Sequence, residues 1–243
     1  MTLSGKQALQ IGVGNTADHP RPQMPATQNV IQRFIGIIMA RQCPQRPYCG
    51  AISTLMLSAP FSFDACPADA VFTIGHSTLD IAAFITRLQH YGIRQLADIR
   101  SVRRSRHNPQ FAADALAASL AAAGIYYLAA PALGGFRRTH AGSINDGWHN
   151  ASFRGYADYM QTDAFATAID GLIASARQMR TAIMCAEAVP WRCHRSLVAD
   201  ALNVRGIAVF DIVSEHSCRA HSLTAFARVD GTTLTYPAPT PAA

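Results

Sequence analysis

The chain has 243 residues, 49% of them hydrophobic, and a formal net charge of +6. That is enough length for one domain with an extension, and enough apolar surface to bury a core. No uninterrupted apolar stretch reaches bilayer-spanning length, since the run Val30–Ala40 is short and broken by Gln32 and Arg33. The Met1 region also lacks the ordered regions of a secretory signal, so a soluble cytoplasmic protein with no membrane partner is expected.

The basic charge is almost all arginine, with Lys6 the lone lysine. Arginine-biased coding in a GC-rich genome is the plainer account, although such a balance also permits phosphate or nucleic-acid partners. Cys43, Cys49, Cys66, Cys185, Cys193 and Cys218 show no tight framework spacing. Without an export signal they read as reduced thiols.

Residues 1–69 are rich in proline and polar turn residues and read as a disordered or loosely attached leader. Methionines at Met39 and Met56 also allow a natural start further along. From residue 70 to 215 the element types alternate. Ala70–Gly75 reads as a strand, and Ser77-Thr78-Leu79-Asp80 as a capping box. Ile81, Phe84, Ile85 and Leu88 then follow at helical spacing. Ile93–Ile99 is the second strand, Phe111–Ala123 a helix closed by Gly124, and Ile125–Ala129 the third strand. Phe153–Met160 and Asp163–Gln178 read as consecutive helices, Ala182–Cys185 as a strand, His194–Val204 as a helix and Ile207–Val213 as a fifth strand. The alternation predicts a single doubly wound α/β domain: a mainly parallel five-stranded sheet with helices on both faces. Residues 216–243, ending in YPAPTPAA, read as a flexible tail.

Right-handed crossovers would bring the carboxyl ends of the strands to one edge, where open α/β sheets bind ligands. The residues just past the apolar runs are His76 and Ser77, Asp98, Arg100 and Ser101, Gly134 and Gly135, then Cys185 and Glu187. Their chemistry points to a cleft. His76 stands before a helix and has the side chain best suited to acid–base work near neutral pH, although a lone histidine is more often a hydrogen-bonded structural residue. Glu187 is one of only two glutamates. Cys193 falls where the next helix begins, beside Arg192, His194 and Arg195, and the helix dipole and these cations would favour its thiolate. The alternative is a small hydrophobe packed under the helix.

Arg100, Arg103, Arg104 and Arg106 form the densest charge cluster, suited to phosphate or carboxylate oxygens, with Arg137 and Arg138 extending the same field. A solvated face is the ordinary reading of such a run. Phe153, Tyr156, Tyr159 and Met160 share a helical face that suits core or cleft wall. No cofactor is expected. Zinc is the alternative, because the side chains of Cys185, Cys193 and His194, with Glu187 and His76 as further candidates, suit it, but their spacing does not match paired-cysteine zinc motifs. A short turn can bring Cys185 and Cys193 together, and the expected outcome is a buried Cys185 beside a more exposed, reactive Cys193. A tyrosine-phosphatase-like anion loop does not fit the insertion of a glutamate and a proline-tryptophan pair.

Taken in order, TIGHS (Thr73–Ser77), DIRS (Asp98–Ser101), SRHNPQF (Ser105–Phe111), LGG (Leu133–Gly135) and CAE…CHR (Cys185–Arg195) resemble the bacterial family called domain of unknown function 488. The resemblance runs from about Val71 to Val213. It implies an α/β domain of no established activity, with motif positions at His76, Ser77, Asp98, Arg100, Cys185, Glu187, Cys193, His194 and Arg195. Where that family commonly has a proline after its Asp-x-Arg-Ser element, this chain has Val102–Arg103.

The function these residues favour is a hydrolase or transferase acting on a phosphate-bearing or other anionic substrate. Arg100, Arg103 and Arg195 would hold the anion, with Ser77 and Asp98 beside them. Glu187 or His76 would move protons, and Cys193 would be nucleophile or anchor, with His194 or His76 as its base if the fold brings it close. The alternative is a non-catalytic nucleotide or nucleic-acid binding module that uses the arginine loop.

Overall fold

The computed structural model describes residues 66–238. The expectations for the leader and for Met39, Met56, Cys43 and Cys49 lie outside the described residues. Eight strands and five α-helices are found among those described.

The first strand, β1 (Val71–Gly75), is wholly buried. The helix after it, α1 (Ile81–His90), buries Phe84 and Leu88 one turn apart. Its cap differs from the sequence reading: Asp80, not Ser77, accepts the Ala83 N–H at 2.8 Å. Gly92 turns the chain out of this helix at φ +61°. Next come β2 (Gln95–Asp98), α2 (Ala113–Ala122) and β3 (Tyr126–Ala129). The helices α3 (Ala151–Tyr159) and α4 (Asp163–Ala176) precede β4 (Thr181–Cys185), and α5 (Arg195–Asn203) leads to β5 (Val209–Ser214).

The sheet has six strands, not five, in the order β3-β2-β4-β1-β5-β6. The first five are parallel, as expected; β6 (Ser217–Ala220) pairs antiparallel with β5 at the edge. Reading the sequence missed β6 because its four residues, Ser-Cys-Arg-Ala, are mostly exposed and carry no apolar alternation. Regular secondary structure therefore continues beyond residue 215, into the segment read as a tail. A hairpin of β7 (Arg228–Asp230) and β8 (Thr233–Thr235) follows, and Leu234 and Tyr236 are buried.

Alternate strand residues enter two separate buried clusters, as the pleat requires. Val71, Ala97 and Ile183 join Tyr156, Phe165 and Leu197 from α3, α4 and α5. Phe72, Leu96, Ala182 and Met184 join Phe84 and Leu116 from α1 and α2. In register, Gly75 lies beside Cys185 and Asp98 beside Met184, so β1, β4 and β2 end level with one another. That common edge carries the site.

Candidate functional site

At the carboxyl ends of β2 and β4, a cleft of about 370 Å³ is lined by residues of four segments: Arg100 to Val102, Gly135 and Phe136, Asn150 to Phe153, and the Cys185–His194 turn. His194 fixes its centre. Its Nε2 lies 3.3 Å from the Ile99 carbonyl, which can only accept, so Nε2 carries a proton and Nδ1 is the ring atom turned toward the cleft. That Nδ1 is 3.8 Å from Cys193 Sγ and 3.9 Å from Cys185 Sγ. Tyr156 packs against the imidazole, with ring centroids 5.0 Å apart.

The two thiols have opposite environments. The Cys193 thiol beside it, together with His194 and the Glu187 N–H, outweighs burial and holds Cys185 well below the ordinary thiol range. Cys193 is pushed up by its bond to Cys185 and by burial. Exposure also runs against the sequence reading: Cys193 is only 4% exposed, and Cys185 is the more accessible thiol. The reason is local. The chain makes a 3₁₀ turn over Pro190–Arg192 before α5, which tucks Cys193 under the helix start and leaves Cys185 at the strand tip.

Glycines close the cleft's other side. A Cβ on Gly135 would lie 2.5 Å from His194 Nδ1, and one on Gly134 would clash with Ser101 Oγ. A Cβ on Gly75 would clash with the Glu187 carbonyl, so β1 can pass the Cys185–Glu187 turn only without a side chain there. The LGG turn is thus a close approach of backbone to imidazole, and Phe136, 80% exposed, is presented from its end.

Several expected ligand-binders make most of their polar contacts within the protein. Arg195 is 1% exposed, and its guanidinium donates to the Glu187 carbonyl and, at 2.7 Å, to that of Ala188. It clamps the turn that carries Glu187. Arg100 is paired fork-to-fork with Asp98 at 2.8 and 2.6 Å, donates to the Phe111 carbonyl at 2.8 Å and reaches His76 Nε2 at 3.2 Å. Five guanidinium N–H groups less these four contacts leave one for the cleft. Tyr127 completes Asp98 with a 2.8 Å hydrogen bond.

His76 lies behind the cleft. It is buried, stacks on Phe111 at 4.1 Å and donates from Nδ1 to the Ser77 carbonyl at 2.9 Å. Burial, with the Arg100 charge, lowers its pKa and keeps it neutral. Its geometry is that of an acceptor for Arg100. Ser77 holds φ +47° and donates its N–H to the Ala186 carbonyl at 2.9 Å, so it too supports the turn. Arg103 lines a neighbouring groove with Arg104 and Tyr127. Arg137 is held by the Gly134 and Ala132 carbonyls and lies over the Tyr159 ring.

That leaves Glu187, exposed, with its Oε1 3.4 Å from the Val189 N–H, and Arg192, also exposed. Arg192 makes no side-chain hydrogen bond or ion pair among the described residues, and it lines the cleft. The sequence singled it out only as a neighbour of Cys193. Phe153, expected as core or cleft wall, lines the cleft; Asn150 and Ser152 carry no motif, and only the packing of the α3 start against the turn reveals them there.

Fold and cleft together define an α/β protein with a thiol–imidazole centre at the carboxyl edge of its sheet. The chain belongs to the family described as Domain of unknown function DUF488, whose model matches residues 80–202. No curated protein and no solved structure matches it.

Proposed function

We propose that the protein is an enzyme of hydrolase or transferase type acting on a phosphate-bearing or other anionic substrate in this cleft. The observation that carries the reading is the convergence of Cys185 and Cys193 on one imidazole nitrogen, with an uncommitted arginine beside them. A guanidinium with no protein partner has its full fork available for phosphate or carboxylate oxygens. Arg192 takes that role, helped by the last N–H of Arg100. Glu187 moves a proton in this reading, and Cys185, His194 and Cys193 form the reacting centre. Doubly wound packing, with helices on both sheet faces, is the frame we infer for it; the two buried clusters on alternate strand residues support that frame.

Turnover of a panel of phosphate monoesters, phosphodiesters and carboxylate-bearing esters by the full chain tests the reading. Turnover should vanish in Cys185→Ala and His194→Ala. In Arg192→Ala, kcat/KM should fall about tenfold or more, the loss for one charge-assisted hydrogen bond. Undiminished turnover in all three variants, or none with any anionic ester, would overturn it.

A second reading has its own observation. Arg104 and Arg106 are exposed on the loop after β2, and Arg103 and Arg104 line a separate groove, the arrangement a nucleic-acid binding module would use. The two readings differ in which arginines matter.

A further inference from the structure

We infer that Cys185, Cys193 and His194 bind one thiophilic divalent ion of the zinc class, with the fourth coordination position open to the cleft. Sequence spacing argued against zinc because the paired-cysteine pattern of structural sites is missing. Folding removes that objection: one ligand comes from the end of β4, one from the turn and one from the start of α5, and their donor atoms all lie within 4.8 Å of one another.

The distances suit a tetrahedral ion. Bonds of about 2.3 Å to sulfur and about 2.0 Å to nitrogen place such donors roughly 3.5–3.8 Å apart. Nδ1 already stands 3.8 and 3.9 Å from the two sulfurs, so small side-chain adjustments close the site. Orientation is set as well. A ligating histidine ordinarily donates its other N–H to a carbonyl or carboxylate, and His194 Nε2 faces the Ile99 carbonyl, which directs Nδ1 to the metal position. Gly135 leaves room for that ring to sit there.

Three protein ligands with an open fourth position are the pattern of catalytic zinc, whereas structural zinc is closed by four. Here the open side is the cleft that holds Arg192 and Glu187. A bound ion would polarise a substrate oxygen or lower the pKa of a water at that position. This deepens the proposed function, and rests on that reading only for the use of the fourth position.

The test is metal content of the full chain, expressed in zinc-supplemented medium and purified without chelator. One equivalent of zinc per chain is expected, lost in Cys185→Ser and in His194→Ala. Replacing zinc with cobalt should give the charge-transfer absorption of cobalt–thiolate bonds and the visible bands of a tetrahedral ion. The cobalt spectrum of the wild-type chain makes the outcome independent of whether a variant folds. Metal-free wild-type protein that gives no thiolate–cobalt absorption would overturn the inference, as would zinc retained in full by Cys185→Ser. Failure to turn over anionic esters would leave the metal result intact, so the two readings fail separately.

Discussion

At the scale of the residue, the site depends on a few atoms held at short range. His194 Nδ1 faces two thiols only because the Ile99 carbonyl takes the other ring proton and Gly135 has no side chain. Gly135→Ala puts a methyl group 2.5 Å from Nδ1, and the imidazole must give way. Because a misplacement of about 1 Å in a reacting group costs on the order of a hundredfold in rate, turnover should fall by about that much. The glycine is not at positive φ, so the fold should survive, and an unchanged circular dichroism spectrum is expected. Wild-type turnover in Gly135→Ala would show that the ring does not need its observed place. These residue types could be read from the sequence, but several of their roles could not. Arg195 and Cys185–Glu187 are neighbours in one motif, yet only packing shows that the arginine is buried under the turn and donates to its carbonyls. Burial likewise exchanges the expected exposures of Cys185 and Cys193. Sequence adjacency does not report which way a side chain points.

At the scale of the element, α5 connects two networks. His194, at the helix's N-terminal end, belongs to the thiol–imidazole centre, and the helix face toward β5 carries Asp200. His221 Nε2 is 2.8 Å from Asp200 Oδ1, and its Nδ1 is 3.6 Å from Asp211 Oδ2. Asp200 also accepts from Tyr236 Oη at 3.0 Å and from the Thr224 N–H at 3.1 Å, and Asp211 from Thr73 Oγ1 at 2.7 Å. Burial disfavours charge on His221, but the bonds to Asp200 and Asp211 outweigh it and push its pKa up to about 9. Because the folded value is raised, its contribution to stability is complete below the ordinary histidine pKa and is lost as pH rises through about 9. The melting temperature should therefore decline between about pH 7 and pH 10, and His221→Gln should remove this component of the decline. An unaltered pH profile in His221→Gln would contradict the assignment. Strands β1, β2, β4 and β5 were legible because apolar, β-branched runs end at turn residues. β6 was not, since its pairing is dictated by the neighbouring β5 edge and not by its own pattern.

Across the whole molecule, strand order is what assembles the site. β4 enters between β2 and β1, so the Cys185–His194 turn lies next to the Asp98–Arg100 tip although about ninety residues separate them in the chain. The C-terminal segment is part of the same body. Tyr236 is buried, its N–H donates to Asn145 Oδ1 at 2.9 Å, and its carbonyl accepts the Gly147 N–H at 2.9 Å. No helix among the described residues is long and apolar enough to cross a membrane. The anionic ligand proposed for the cleft rests on which arginines the fold commits and which it leaves open. Arg100, Arg137 and Arg195 are committed to protein partners, while Arg192 is open to the cleft and Arg104 and Arg106 to the loop surface. Calorimetric titration of the full chain with inorganic phosphate, at fixed ionic strength, separates these positions directly. The account predicts saturable binding that weakens about tenfold or more in Arg192→Ala and is unchanged in the triple replacement of Arg103, Arg104 and Arg106 by alanine. Binding that survives Arg192→Ala but is lost in the triple variant would contradict it and favour the arginine loop, and no saturable binding at all would contradict both.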